Sequence, residues 1–148
     1  MGLVNDSGLK QSPCAAETIK EGYLYYINSG DSYRMTKITT VAQVVSGIAE
    51  DSSTDALGAA RTLTAGDKHS FYRPGCGKVV KVASVISATY HRDAAVYGGQ
   101  TADADGMCNT DNSNSAQKIG HYAGTENLTT TVSGQLIDVY LDVPIGGA

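Results

Sequence analysis

The sequence has no tryptophan and one phenylalanine, and no stretch approaches the roughly 20 consecutive apolar residues of a membrane-spanning helix. We therefore expect no membrane segment. Basic residues are also few, because 11 Lys and Arg stand against 15 Asp and Glu, for a net charge of −4. No basic stripe could neutralise a run of phosphates, so nucleic acid is not an expected partner.

Cysteine is scarce, and its spacing suits neither a disulfide framework nor a zinc site. The three cysteines, Cys14, Cys76 and Cys108, are odd in number and form no C-x-x-C pair. Residues 1–7 show neither the positive n-region nor the apolar h-region of a secretory signal. We expect free thiols in a chain that is synthesised in a reducing cytoplasm.

Recognisable catalytic and metal-binding motifs are missing as well, including the P-loop, the nucleophile elbow and zinc spacings. An EF-hand register fails, because it would place Thr101 at the first ligand position and Asn112 at the last. We predict a protein that is not an enzyme, with no catalytic residue, metal or cofactor. Two alternatives stay open: an ion site of another kind in the Asp103–Asp111 loop, and an unrecognised enzyme site that uses Cys76 or His121.

What the sequence does have is glycine and residues typical of strands. With 17 Gly and 9 Tyr among 148 residues, the composition is typical of a turn-rich β protein. A hairpin is predicted where Gly22–Ile27 and Ser32–Ile38 flank the turn Asn28–Asp31. Further strands are predicted at Val41–Val45, His69–Arg73, Lys78–Ala83, Ala94–Tyr97, Lys118–Tyr122, Leu128–Val132 and Leu136–Val143, the last with the clearest alternation of apolar and polar residues.

These elements predict an all-β fold, a compact antiparallel β-barrel or β-sandwich. Glu50–Ala60 is expected to be a short helix or a loop, and residues 99–115 a long polar loop. Residues 1–20 lack a clear period and are rich in turn formers, which predicts an extended N-terminal arm. The rest, residues 21–148, is expected to form a single β domain.

The two halves of the chain resemble each other. Ala42-Gln43 and Gly47 match Ala116-Gln117 and Gly120, and the segments from Gly66 to Tyr72 and from Gly134 to Tyr140 share a glycine and an aromatic strand end. Two interpretations are open: chance similarity between short β segments, or a duplication. A duplication would give half-repeats at 21–83 and 84–143 that pair into one barrel or sandwich, because neither half could bury its apolar face alone.

Three segments taken together resemble a known family. The runs Gly22–Ile27, Ser46–Asp51 and Leu63–Asp67, followed by a closing apolar strand at Leu136–Val143, resemble the head decoration (capsid cement) proteins of tailed bacteriophages. The resemblance covers roughly residues 20–143 and rests on strand and turn residues. It implies a compact β fold, commonly trimeric, that clamps neighbouring major capsid protein subunits on the outer shell.

The resemblance implies a virion structural protein that is located on the outer capsid surface and stabilises the shell. The expected partners are the major capsid protein and further copies of the chain, with a homotrimer favoured over a dimer. The length of the chain and the apparent duplication leave the trimer open. The alternative function is a receptor- or glycan-binding module of a phage tail or surface structure, although the flat tryptophan platform usual in carbohydrate binders is absent.

Contact residues are predicted from the arm and from the tyrosines. An arm can add a strand to a neighbour's sheet edge, and tyrosine supplies the amphipathic area that interfaces use. The predicted interface residues are Leu3, Val4, Leu9, Tyr23, Tyr25 and Tyr33.

Overall fold

The computed structural model describes residues 8–40, 43–50, 61–98, 105–110 and 117–143. Within these ranges the chain forms β-strands and one 3-10 turn at Ser29–Asp31, and it has no α-helix. The predicted all-β fold class is confirmed. In chain order the strands are β1 (Leu9–Pro13), β2 (Thr18–Ile19), β3 (Leu24–Asn28), β4 (Arg34–Lys37), β5 (Gly47–Ala49), β6 (Arg61–Thr62), β7 (Lys68–Tyr72), β8 (Val79–Ser84), β9 (Thr89–Tyr90), β10 (Ala95–Gly98), β11 (Cys108–Asn109), β12 (Lys118–Tyr122), β13 (Leu128–Thr129) and β14 (Gln135–Tyr140).

Strand pairing builds two five-stranded units, one from each half of the chain. The first unit (β1 to β7) has the order β1-β7-β5-β3-β4. The second unit (β8 to β14) has the order β8-β14-β12-β10-β11, and a parallel contact of β11 with β8 closes it into a barrel. The edge strands of the first unit meet at one parallel bridge between Cys14, just after β1, and Met35 of β4.

The two units repeat each other strand for strand. β1, β3, β4, β5 and β7 occupy the places of β8, β10, β11, β12 and β14, so every pairing in one sheet recurs in the other. The two-stranded pairs β2–β6 and β9–β13 also correspond, and each carries threonine hydroxyls across the pair, Thr18 to Thr62 at 3.4 Å and Thr89 to Thr129 at 2.9 Å. The likeness of the halves therefore extends from short sequence matches to the complete topology.

The same backbone hydrogen bond joins the edge strands of both units. The Ala15 N–H donates to the Met35 carbonyl at 3.0 Å, and the Val85 N–H donates to the Cys108 carbonyl at 3.1 Å. These bonds occur where the last strand of each sheet returns to the first. They show that the edges of the first sheet approach each other as those of the second do, although only the second forms a closed barrel and the bridge of the first involves Cys14, just outside β1.

Gly66 and Gly134 occupy the same turn in the two units. Their φ angles are 92° and 81°, in the left-handed region that glycine adopts without the steric cost of a β-carbon. Their N–H groups donate to the carbonyls of Cys14 and Ser84, at 2.9 and 2.8 Å. The glycine match seen in the sequence thus reflects one conformational requirement that both units meet.

The apolar interior runs through both units. Alternate residues of β3 divide between two clusters, because successive strand residues face opposite sides: Tyr25 lies inside the first unit and Leu24 lies between the units. We name the larger cluster the shared core. It comprises Leu24, Ile38, Val45, Ile48, Val80, Val82, Ala88, Tyr90, Val96, Cys108, Ile119, Tyr122, Ile137, Val139 and Leu141.

Backbone hydrogen bonds also cross between the units. Gly106 of the second unit accepts from the Leu24 N–H and donates to the Ile38 carbonyl, both at 2.7 Å. The Ala83 N–H donates to the Gly22 carbonyl at 2.9 Å. The two units thus share a core and are joined by backbone hydrogen bonds.

The N-terminal arm predicted over residues 1–20 is wrong for its described part. β1 pairs antiparallel with β7 along five residues, from Leu9 opposite Tyr72 to Pro13 opposite Lys68. β2 then pairs with β6. The segment Leu9–Pro13 carries little apolar alternation, so the strand forms because the edge of β7 supplies hydrogen-bond partners from a distant part of the chain.

The predicted half-repeats at 21–83 and 84–143 are offset from the structural units by one strand. The first unit begins with β1, which lies in the segment predicted to be an arm. The second unit begins with β8, which lies at the end of the predicted first half-repeat. The predicted hairpin is present as β3 and β4. The strand predicted at Val41–Val45 is displaced to β5 at Gly47–Ala49, and Val41 and Ala42 lie outside the described residues, as do residues 51–60.

Candidate functional site

The six predicted interface residues do not form one surface. Leu3 and Val4 lie outside the described residues. Leu9 is half-buried and lies opposite Tyr72. Tyr33 follows the turn of the β3–β4 hairpin with 69% of its surface exposed, and its φ of 57° is unusual for a bulky residue. Tyr33 is therefore accessible to a partner.

Tyr25 corrects the prediction, because it is fully buried and offers no surface to a partner. Its ring packs edge-on against Phe71 inside the first unit, with the ring centroids 5.2 Å apart. Tyr23 is half-buried instead, beside a cavity. A run of tyrosines on a strand cannot all face one way, and the sequence alone did not show which members face inward.

A cavity of about 390 Å³ opens beside Tyr23. It lies where the first unit meets the loop that leads into β11, so it draws on segments far apart in the sequence. We name it the Tyr23 cavity. Its lining residues are Glu17, Thr18, Lys20, Tyr23, Tyr25, Lys37, Asp105 and Met107.

Charged groups of both signs line the Tyr23 cavity. The Lys20 and Lys37 ammonium groups lie 5.8 and 6.0 Å from the centroid of the Tyr23 ring, within the range of a cation–π attraction. One carboxylate oxygen of Glu17 accepts from the Lys37 backbone N–H at 2.8 Å. Burial raises the pKa of Glu17, and the Lys37 amide and ammonium oppose part of that rise.

The Tyr25 hydroxyl lies at the floor of the cavity without a hydrogen-bond partner. It is the one such buried side-chain oxygen or nitrogen among the residues that the structure describes. Burial raises the pKa of this phenol, the Glu17 charge adds to the rise, and the Lys20 backbone amide opposes it. An unsatisfied buried hydroxyl costs about 1–3 kcal/mol, so its presence calls for an explanation.

The second unit builds the same fold without this lining. Strand registers place Val96 at the position of Tyr25, because Tyr25 lies opposite Gly47 and Val96 opposite Gly120. Matching backbone bonds place Ala88 at the position of Glu17. The fold therefore requires neither the buried hydroxyl nor the carboxylate, which marks both as particular to the first unit.

We expect Glu17 to make stability fall with rising pH. Since burial raises its folded pKa above the ordinary 4.5, the folded chain holds this proton more tightly than the unfolded chain does. Between those two values the folded state carries more protons, so the free energy of unfolding decreases as pH rises. Urea unfolding from about pH 4 to about pH 7 should show a flatter profile for Glu17→Gln. A wild-type profile that rises relative to that of the variant across this window would contradict the assignment.

The three thiols differ in exposure. Cys14 and Cys108 are buried, and Cys76 is partly exposed. The Cys108 sulfur lies 3.5 Å from the Tyr90 hydroxyl, which in turn lies 2.7 Å from the Ser84 hydroxyl. Burial raises the pKa of the Cys108 thiol to about 12, so almost none of it is thiolate at neutral pH.

Thiol titration should therefore separate the cysteines. With a chromogenic disulfide reagent at neutral pH, we expect one fast equivalent from Cys76 and two more only after denaturation. Cys76→Ser should remove the fast equivalent and leave the slow pair unchanged. Three fast equivalents in the native protein would show that the interiors of the two units are open to solvent.

The residues considered for an enzyme site are not brought together. His121 pairs with Asp142, whose two carboxylate oxygens lie 2.8 and 2.7 Å from its Nδ1, and Lys118 is 3.5 Å from the same carboxylate. Cys76 lies beside Arg73 at a separate pocket, and no hydrogen bond joins it to His121. Asp103 and Asp111 lie outside the described residues. Elsewhere in the described chain, no three His, Cys, Asp or Glu side chains are grouped as metal ligands would be.

An uncovered apolar face lies on the outside of the second unit. Alternate residues of β8 and β14 point outward, with Val79 opposite Tyr140 and Lys81 opposite Asp138. The charged pair forms a salt bridge at 2.6 Å. Val79 and Val143 are 57% and 54% exposed. We name this surface the β8–β14 outer face. It comprises Val79, Lys81, Leu136, Asp138 and Tyr140, together with Val143, which follows β14 and lies beside Gly77 near the Tyr140 hydroxyl.

The corresponding residues of the first unit are less exposed, since Leu9 and Tyr72 are both partly buried. There Leu9 lies opposite Tyr72, as Val79 lies opposite Tyr140. Tyr72 packs against the shared core, whereas Tyr140 is 38% exposed. Equivalent positions of the two units thus differ in exposure, and those of the second unit are the more exposed.

No protein-family model matches the chain, and no curated protein matches it. No helix in the described residues is long and apolar enough to span a bilayer.

Proposed function

We propose that the chain is a virion structural protein that decorates the outer capsid surface and stabilises the shell by bridging major capsid protein subunits. The observation that carries the proposal is the β8–β14 outer face, where apolar side chains of a rigid strand pair stand in solvent. Capsid decoration needs such a pre-formed, flat surface, and the motif resemblance points to the same family of roles. We propose no catalytic step.

The energetics of the face suit a bridging role. Fully burying a side chain such as valine contributes roughly 1.5–3 kcal/mol. Val79, Tyr140 and Val143 together would supply a modest affinity per contact. A shell offers many copies of each site, and linked contacts convert modest affinities into tight attachment. The Lys81–Asp138 salt bridge lies in the middle of the face, and its two charges would fix the orientation of a partner with complementary charges.

We also propose that the chain assembles as a homo-oligomer, a homotrimer before a dimer. Closed symmetric assemblies are the rule among oligomers, and an adaptor on a symmetric shell gains contacts by sharing its symmetry. Tyr33 at the hairpin is a candidate contact between copies, because it is the most exposed large aromatic of the described chain. Sedimentation equilibrium of the full chain measures the state directly.

Shell binding by face variants tests the proposal. We expect Val79→Asp and Val143→Asp to weaken binding to undecorated capsids by about tenfold or more, because each places a charge in an apolar contact. Val44→Asp is the matched control, since Val44 is 66% exposed on the first unit and away from the face. Thermal unfolding checks that every variant folds. Equal binding by face and control variants would refute the role of this face.

The alternative function, a receptor- or glycan-binding module, is favoured by one observation, the aromatic ring of Tyr23 in a polar cavity. The ring is already flanked by two ammonium groups, which leaves less of it for a sugar. A glycan array, read with and without a chelator, separates the two functions. Saturable glycan binding that Tyr23→Ala abolishes, together with no binding to capsids, would favour the alternative.

A further inference from the structure

We propose that the Tyr23 cavity is a binding site for a small carboxylate that also carries a hydroxyl or amine donor. The inference does not depend on the capsid role. It rests on a cavity of about 390 Å³, which is large enough for such a molecule, and on the polar groups that line it. Lys20, Lys37 and the Tyr25 hydroxyl are the donors for the carboxylate, and Glu17 and Asp105 are the acceptors for the second group.

The cavity holds donors that lack acceptors. Among the described residues neither Lys20 nor Lys37 forms an ion pair within 4 Å, although both face the Tyr23 ring and the Lys37 charge acts on Glu17. The buried Tyr25 hydroxyl has no acceptor for its own proton, and the Lys20 backbone amide faces its oxygen. A carboxylate is the group that satisfies two ammonium groups and a phenol together, because it accepts several charge-assisted hydrogen bonds.

The carboxylates on the wall define the second half of the ligand. Glu17 uses one oxygen for the Lys37 amide and leaves the other, and Asp105 forms no salt bridge with a described residue. They would repel a ligand that is purely anionic. A hydroxyl or amine on the ligand would donate to them, so the cavity matches a molecule with an acceptor end and a donor end.

Comparison of the units argues that this lining is not a structural necessity. The equivalent barrel places Val96 where the first unit has Tyr25, and Val96 is fully buried without a polar atom in its side chain. A valine-like residue would have filled the first unit at no hydrogen-bonding cost. The phenol is therefore explained better by a ligand than by packing.

Access to the Tyr25 hydroxyl requires one lining side chain to shift. The hydroxyl is sealed from solvent in this structure. Met107, Lys20 and Lys37 are unbranched at the β-carbon and have several rotatable bonds, so any of them can move at little cost. The ligand would first meet the lysines at the open side and then reach the phenol at the floor.

The direct test is a titration of the full chain with malate, followed by calorimetry or by chemical shifts in NMR spectra. We expect saturable binding that Lys20→Gln and Lys37→Gln each weaken by about tenfold. Lys68→Gln, an exposed lysine on β7, is the matched control and should bind as the wild type does. The diamide of malate should not bind. No saturable malate binding, or equal binding of the diamide, would overturn the proposal.

Tyr25→Phe supplies a readout that does not need the ligand. Because the hydroxyl has no partner, its removal should leave the unfolding temperature unchanged or raise it, while malate affinity falls. A fall in the unfolding temperature would show that the hydroxyl has a structural partner, and the proposal would fail. Unchanged malate affinity in this variant would equally overturn the part assigned to the phenol.

Two sources could present the carboxylate, and a second titration distinguishes them. The blocked aspartate N-acetyl-Asp-N-methylamide imitates an acidic side chain of a partner chain, and its asparagine analogue is the neutral control. Tighter binding of malate identifies a free organic acid as the ligand type. Tighter binding of the blocked aspartate identifies a protein side chain. Either result supports a carboxylate site provided that malate itself binds saturably, and the absence of malate binding refutes the proposal.

Discussion

Gly120→Ala is expected to destabilise the chain by about 3 kcal/mol or more, or to prevent folding of the second unit. A β-carbon at this position would collide with the carbonyl oxygen of Tyr140. That oxygen cannot withdraw, because β14 is held by β12 on one side and by β8 on the other. The strands cross so closely here that only glycine fits.

Substitutions of two other glycines should destabilise the chain less than Gly120→Ala does. Gly47 is the equivalent residue of the first unit, and its β-carbon would meet the Met35 methyl at 2.7 Å and the Phe71 Cβ at 2.8 Å. The Met35 side chain can yield in part, so Gly47→Ala should cost less than Gly120→Ala. Gly30→Ala meets only the Asn28 side-chain oxygen, at 3.3 Å, and should be close to neutral. Urea unfolding of the three variants measures the order, and equal midpoints would contradict the packing described.

Leu24→Ala is expected to cost about 2–5 kcal/mol and to destabilise both units at once. Leu24 is fully buried in the shared core, although it belongs to a strand of the first unit. Removing its side chain leaves a cavity between the units. Ile27→Ala is the control on the same strand, because Ile27 is 51% exposed and should cost far less.

The shape of the unfolding transition is the sharper readout for Leu24. Far-ultraviolet circular dichroism and tyrosine fluorescence should report a single coincident transition in both the wild type and the variant. Coincidence is expected because one apolar cluster and several backbone hydrogen bonds join the units. Two separate transitions, with only the first shifted by Leu24→Ala, would show that the units fold independently.

Alternation predicted the strands that carry most of the core. In the closing strand, alternation predicts Ile137, Val139, Leu141 and Val143 on one face. The first three are buried in the shared core, whereas Val143, which follows the end of β14, is 54% exposed. Asp138 and Tyr140 face outward, as their phase required. Such predictions succeed where a strand has one buried and one exposed face, because apolar and polar residues then alternate along the sequence.

Elements that are stabilised by distant parts of the chain could not be predicted from the sequence. β1 has an exposed proline and polar residues, and its strand state depends on pairing with β7 some sixty residues later. Tyr25 illustrates the same limit. Tyrosine occurs both in interfaces and in protein interiors, and the sequence does not show which side of the strand this side chain faces. The likeness of the halves could be noticed from the glycine matches, but the boundaries of the two units could not, because the sequences of β1 and β8 do not resemble each other.

The Tyr23 cavity was beyond prediction for a related reason. Its walls combine Glu17, Lys37 and Met107, which no local motif connects. The one available signal was charged residues clustered around a tyrosine-rich strand, and solvated surfaces show the same pattern. The β8–β14 outer face was partly foreseeable, because the closing strand carries Tyr140 on its polar side.

Electron cryomicroscopy of undecorated capsids, incubated with the full chain, tests the central claim most directly. The account predicts regular density for the two five-stranded units on the outer surface at saturating concentration, with the β8–β14 outer face against the shell. Capsids that remain bare would contradict it. Density in which that face points to solvent would contradict the assigned surface as well.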